Sequence, residues 1–234
     1  MATHKGKLEA VMLSKILDEN QRKAIVWDVE RGAPNEIMER PWQSCSCIGG
    51  WHYTTSVYEN NWYKSASDVA KLLIDIVSKN GNLLLSVPLR ADGTFDEKEE
   101  KILNEFGNWM NINKEAIYQT RPWKIFGEGP IADKDVQLNA QGFNEWAYSK
   151  ADAKEIRFTQ TDKNLYATVL GWPEDGKILI RSLAEGNGLY PTKIGRVELL
   201  GYGKVSFTRT DKGLVVDIPA KSLKNIAPVL KIRK

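Results

Sequence analysis

Near residue 125 the sequence changes rhythm, and the change limits what it can fold into. Upstream, apolar runs alternate with amphipathic stretches. Ala24 to Trp27 with Val29 form a near-continuous apolar run, the pattern of a strand covered on both faces. Leu8, Val11, Met12 and Ile16 recur at three-to-four spacing, which predicts an amphipathic helix over Lys7 to Asn20. Ser65-x-x-Asp68 reads as a capping box opening a second helix, with Val69, Leu72, Leu73, Ile76 and Val77 on one face. Asn80-Gly81 is expected to end it, with the glycine in the left-handed cap. Asn82 to Pro88 reads as another buried strand, and Thr94-x-x-Glu97 as the cap of a third helix reaching about Asn111. Strands and helices in alternation predict βα architecture with parallel strands.

Downstream the runs are short and alternating, at 155–161, 164–170, 177–183, 196–200, 204–209, 213–218 and 228–232. Turn residues such as Glu174-Asp175-Gly176 and Asp211-Lys212-Gly213 separate them. This spacing predicts an antiparallel β-sandwich. The expected fold class is therefore α/β plus all-β: a βα unit over 1–125, a link over 126–154 and a β-sandwich over 155–234.

Charge and hydropathy narrow the function. The 33 basic and 30 acidic residues give a net charge of +3, with no basic stripe, so no nucleic-acid partner is expected. No run approaches the roughly 18 apolar residues of a membrane span, so no membrane partner is expected either. Met1 to Lys7 lacks an apolar segment of the signal-peptide kind. Cys45 and Cys47 fall two apart in one strand and read as small buried residues, the alternative being a redox or metal pair. With only His4 and His52 as histidines, no metal and no cofactor is expected.

Glu30 closes the apolar run. In a (β/α) barrel the C-terminal strand edge is where catalytic side chains project. A carboxylate there, with Trp27, Trp42, Trp51 and Trp62 in the flanking sequence, suits a sugar site. Asp28 lies two residues earlier on the same face. Two parallel side chains of one strand cannot approach a sugar from opposite sides, so Asp28 reads as a neighbour whose charge favours the protonated form of Glu30.

Seven segments occur in an order that resembles one family. They are Glu30-Arg-Gly, Pro41-Trp-Gln-Ser-Cys, Gly50-Trp-His-Tyr, Gly81-Asn-Leu-Leu-Leu-Ser-Val-Pro, Gly107-Asn-Trp-Met, Glu115-Ala-Ile-Tyr and Leu165-Tyr-Ala-Thr-Val-Leu-Gly-Trp-Pro. From about Lys7 onward the sequence is similar to the C-terminal part of the α-L-fucosidases of glycoside hydrolase family 29. The resemblance implies a (β/α)8-type barrel followed by a β-sandwich, and a retaining hydrolase acting on the terminal α-L-fucose of glycans. It makes Glu30 the general acid/base, with Trp42, Trp51 and His52 lining the pocket, and Asn82 and Trp62 as weaker candidates. Asp28 and Arg31 would stand behind Glu30, or Arg31 would simply pair with it on a surface loop.

The resemblance also implies something missing. The family's nucleophilic aspartate belongs to an earlier barrel strand, and only 29 residues precede Glu30. A full barrel takes about 250 residues. The expectation is a fragment inactive alone, prone to self-association or in need of the N-terminal barrel half. A split enzyme completed by another chain, and a non-catalytic carbohydrate- or protein-binding module, stay open as alternatives. By resemblance the parent would work in a periplasmic, secreted or lysosomal setting.

Overall fold

The computed structural model describes residues 3–4, 6–8, 10–133, 142–219 and 226–234. The fold is sheet-rich α/β. A short antiparallel pair, β1 (Thr3–His4) and β2 (Lys7–Leu8), comes first. Four parallel strands follow in spatial and chain order: β3 (Leu13–Ser14), β4 (Val26–Glu30), β5 (Trp42–Cys47) and β6 (Gly81–Ser86). Helices α1 (Thr55–Asn60) and α2 (Ala66–Ser78) lie between β5 and β6, and α3 (Glu97–Asn113) follows β6.

The antiparallel strands are β7 (Arg121–Glu128), β8 (Ile156–Gln160), β9 (Leu165–Val169), β10 (Lys177–Ile180), β11 (Arg196–Leu199), β12 (Gly203–Lys204), β13 (Ser206–Thr210), β14 (Gly213–Asp217) and β15 (Val229–Arg233). One sheet runs β12-β11-β15-β9-β8-β7 and a second runs β10-β14-β13. Ile156, Phe158 and Val169 of the first share a buried core with Ile178, Leu214 and Val216 of the second. Residues 121–128, split by the sequence reading between the βα unit and the link, thus form one strand of the larger sheet, paired to β8.

The helix expected over Lys7 to Asn20 is not there. Its described residues hold the strands β2 and β3, and a 3₁₀ turn at Gln21–Lys23 comes after. Backbone groups that a helix would have used internally go to the sheet instead, with Val26 N–H donating to Met12 O at 2.9 Å. Asp18 Oδ1 accepts from the amides of Asn20 and Gln21 and turns the chain into the 3₁₀ segment. Val11, Met12 and Ile16, the expected apolar stripe, stand 72%, 66% and 73% exposed.

Capping chemistry sets the other helices. Ser65 and Asp68 form the reciprocal capping box at the start of α2. At its end Asn80, not Gly81, takes the left-handed conformation, with φ +71°. Gly81 is needed for space: a Cβ there would lie 2.5 Å from the Trp42 ring and 2.7 Å from Ile76. The cap of α3 is Asp96 with Glu99 rather than Thr94 with Glu97, since Asp96 accepts from the amides of Lys98 and Glu99. Thr94 instead bonds Asp92 within the preceding turn.

Helix α2 is covered on two sides. Leu72 and Ile76 pack with Val29 and Trp42 of the parallel sheet. Ala70 and Ile74 pack with Trp109 of α3 and with Tyr166 and Val229 of the larger antiparallel sheet. Between these contacts lies a buried ionic group. Asp75 accepts from Lys79 Nζ at 2.8 Å and from Arg157 Nε at 2.6 Å, and Arg157 Nη1 also reaches Glu155 at 3.1 Å. Burial alone would raise the Asp75 pKa, but the two cations outweigh it and hold it below the ordinary aspartate value.

Two outcomes follow for stability. Asp75→Asn leaves the buried Lys79 without its carboxylate and Arg157 with Glu155 alone, and should lower the unfolding free energy by about 3–5 kcal/mol, read from the urea midpoint. Because its folded pKa is depressed, Asp75 contributes stability above the unfolded value of about 4, lost as pH falls through the lower folded value. The acid-side decline of the midpoint should therefore be shallower in Asp75→Asn. Gly81→Ala should cost about 1–3 kcal/mol by overpacking against Trp42, and a neutral effect in the same urea titration would remove that account of the glycine.

Candidate functional site

Glu30 is the last residue of β4, at the C-terminal end of the parallel sheet. The register pairs Asp28 with Gln43 and Glu30 with Cys45, so these four residues share one face. Val29 and Trp42 occupy the other face, toward α2. Lys15, just beyond β3, reaches across the first face. Its Nζ lies 3.2 Å from Asp28 Oδ2, 3.1 Å from Glu30 Oε2 and 2.9 Å from Cys45 Sγ. Gln43 Nε2 donates to Asp28 Oδ1 at 3.2 Å. Burial works against the charge of Lys15, but hydrogen bonds to Cys45, Glu30 and Asp28 outweigh it and raise its pKa above the ordinary lysine value. One ammonium thus offsets the repulsion between the two carboxylates of β4. Burial is the main cause that pushes the Cys45 thiol up, with Lys15 acting against it.

The loop beyond Glu30 faces a second, separate network. Arg31 does not pair with Glu30. Its guanidinium lies 2.7 Å from Glu145, whose carboxylate also accepts from Ser46 Oγ at 2.5 Å and pairs with Lys64 Nζ at 3.0 Å. The Glu145 side chain is only 8% exposed. Burial would raise its pKa, yet Ser46, Lys64 and Arg31 together hold it below the ordinary glutamate range. Trp62, Tyr63 and Trp146 line a cleft of about 430 Å³ beside this carboxylate. Neither Lys15 nor Glu145 stood out in the sequence. Lys15 lies inside the Lys7–Asn20 stretch read as a helix, and Glu145 lies in a non-periodic stretch far along the chain from Arg31, Ser46 and Lys64, 114 and 99 residues from the first two.

The remaining sequence-expected residues scatter. Trp42 starts β5 and is 1% exposed, packed between Val29 and α2, with its indole N–H donating to Lys79 O at 2.9 Å. It presents no free face to a ligand. Trp51 and His52 lie in the loop after β5; both are exposed, and neither is hydrogen-bonded to Glu30 among the described residues. Asn82 donates to Trp42 O at 3.3 Å and lies two strands from β4, level in register with Gln43 and Asp28. Trp27 donates its indole N–H to Lys15 O at 3.0 Å, and Arg22 stacks on its ring. Among the described residues no cluster of three His, Cys, Asp or Glu is placed to hold a metal ion.

Comparison with known proteins bears on this geometry. The α-L-fucosidase family model matches residues 1–115, and the α-L-fucosidase C-terminal domain model matches residues 150–233. The plasma α-L-fucosidase of Rattus norvegicus is 28% identical over 198 residues, covering 83% of this chain and 38% of its own length. A solved α-L-fucosidase structure aligns with a TM-score of 0.67 at 25% identity, over 90% of this chain and 43% of that one. The Thermotoga maritima α-fucosidase aligns with a TM-score of 0.62 at 26% identity, over 88% of this chain and 42% of that one. The chain thus spans well under half the length of the relatives it matches. With Glu30-Arg-Gly placed at a parallel strand end, and both family models matched in order, the chain belongs to the α-L-fucosidases of glycoside hydrolase family 29.

Proposed function

We propose that this chain carries the acid/base part of an α-L-fucosidase site acting on glycans with terminal α-L-fucose. The four parallel strands are read as a run of a (β/α)8-type barrel, and the two antiparallel sheets as the C-terminal β-sandwich. Supporting this, the parallel strands follow chain order, and the antiparallel sheets enclose one apolar core. The observation that carries the functional reading is Glu30: a carboxylate ending a parallel strand, its side chain 23% exposed, in a chain of this family.

A retaining hydrolase needs a second carboxylate across the sugar, about 5 to 5.5 Å from the first. Glu30 would protonate the leaving oxygen and then take a proton from the attacking water. Asp28 cannot be the partner, since it projects from the same face of the same strand and shares Lys15 with Glu30. The nucleophile is therefore assigned to polypeptide other than residues 1–234. That polypeptide would seat on the outer strands of the parallel sheet, where Val11, Met12 and Ile16 beside β3 and Leu84 of β6 are exposed. Open strand edges invite pairing, so the chain by itself should also self-associate.

The test is reconstitution. Residues 1–234 alone should give no turnover of an α-L-fucoside above background. Co-expressed with the N-terminal part of a family member, they should give turnover that Glu30→Gln lowers by about 10²- to 10⁴-fold. Turnover by the chain alone that disappears with Glu30→Gln would overturn the need for a partner. Full activity of Glu30→Gln in the reconstituted enzyme would remove the acid/base assignment.

A further inference from the structure

The stretch Gly142 to Glu145 is bound to the end of β4 and the residues just after it through both backbone and side-chain groups. Gly142 forms a parallel bridge with Glu30. Phe143 N–H donates to Glu30 O at 2.8 Å, and Glu145 N–H to Arg31 O at 3.0 Å. The Asn144 side chain closes a two-bond ring on Ala33, accepting from its N–H at 3.0 Å and donating to its C=O at 3.0 Å. The Glu145 carboxylate then ties Arg31 to Ser46 of β5.

Two glycines make this approach possible. A Cβ at Gly32 would lie 2.0 Å from Asn144 Oδ1, and one at Gly142 would lie 2.3 Å from Glu30 O. Gly142 and Phe143 both have positive φ, +91° and +58°. That conformation is costly for phenylalanine and persists only where the surroundings over-determine it. Ala33 is completely buried, so its two backbone groups depend on Asn144 for partners.

From β5, Ser44 Oγ donates to Gly32 O at 2.7 Å and Arg31 N–H donates to Cys45 O at 2.8 Å. The backbone that carries Glu30 is thus gripped by its sheet neighbour on one side and by Gly142–Glu145 on the other. We infer that Gly142–Glu145 is a strap that sets the position of Glu30, with Asn144 and Glu145 as positioning residues. This rests on the reading of Glu30 as the acid/base, a role that tolerates displacements of only about 0.5 Å.

The experiment uses residues 1–234 labelled for NMR, with Asn144→Ala, Asn144→Asp and Glu145→Gln. In Asn144→Ala the Ala33 amide should exchange at least about tenfold faster, and the Glu30 side-chain carboxyl carbon resonance should move as the carboxylate shifts against Lys15. The Val216 amide in the distant sheet should keep its protection. Asn144→Asp retains the acceptor for Ala33 N–H and should restore most of both signals. Glu145→Gln should move the Glu30 resonance without unfolding the chain, and it carries the test if Asn144→Ala does not fold. In the reconstituted enzyme Asn144→Ala and Glu145→Gln should lower kcat by about tenfold with KM little changed, and Asn144→Asp should recover most of the loss. A Glu30 resonance and a kcat both unmoved while Ala33 exchange accelerates would overturn the strap's positioning role. Absence of turnover by the unsubstituted reconstituted enzyme would count against the fucosidase reading alone, leaving the strap to be decided by the Glu30 resonance.

Discussion

Everything else in this molecule hangs on α2 being buried from two directions. A helix with one apolar stripe can lie on a surface; α2 has Leu72 and Ile76 against the parallel sheet and Ala70 and Ile74 against α3 and the larger antiparallel sheet. Apolar contacts alone would fix its depth better than its rotation or its partner. The ion cluster supplies that specificity. Asp75 on the helix meets Arg157 from β8 with both side chains at most 1% exposed. Such a pair gains little over an apolar replacement, because desolvation cancels most of the attraction. Mispairing is what it penalises: any arrangement that turned α2 or slid β8 would leave a buried charge alone. The parallel sheet, with Glu30 at its end, is thereby held in one orientation to the antiparallel sheets.

This explains which parts of the fold could be read from sequence. Elements specified by their own residues were legible: the Ser65–Asp68 box, the strand ending at Glu30, and the short strands punctuated by Asp-Gly and Lys-Gly turns. Elements decided by a partner were not. The 7–20 stretch has helical spacing, but its backbone pairs with β4, and periodicity cannot see a competing ladder. Strand β7 contains Pro122, which argues against a central strand; it is in fact an edge strand of its sheet, where proline is tolerated. At the end of α2, Asn80 and Gly81 can both adopt positive φ, and the crowding of Trp42 decided how the two were used.

The candidate site divides the same way. Glu30 stood out in the sequence because a local pattern and an ordered set of motifs both pointed to it. Its companions did not, because Lys15 reaches its carboxylate, and Asn144 and Glu145 reach the residues just after it, from other segments. Trp42 shows the opposite case: a tryptophan near a carboxylate in sequence belongs to the helix-facing core, since strand alternation puts it on the far side of the sheet from Glu30.

The two networks around Glu30 differ in stiffness, and the difference suits the acid/base role proposed for it. On the open face Lys15 is 42% exposed, and an ion pair in that setting is worth at most about 1 kcal/mol. On the helix side, Glu145 is 8% exposed and Asn144 satisfies the completely buried Ala33, so loosening that network leaves polar groups without partners in the interior. The backbone beneath Glu30 is therefore held firmly while its carboxylate is held weakly. An acid/base residue needs this combination. It must stay within reach of one oxygen through two half-reactions, yet exchange a proton in each without a buried charge being exposed or stranded.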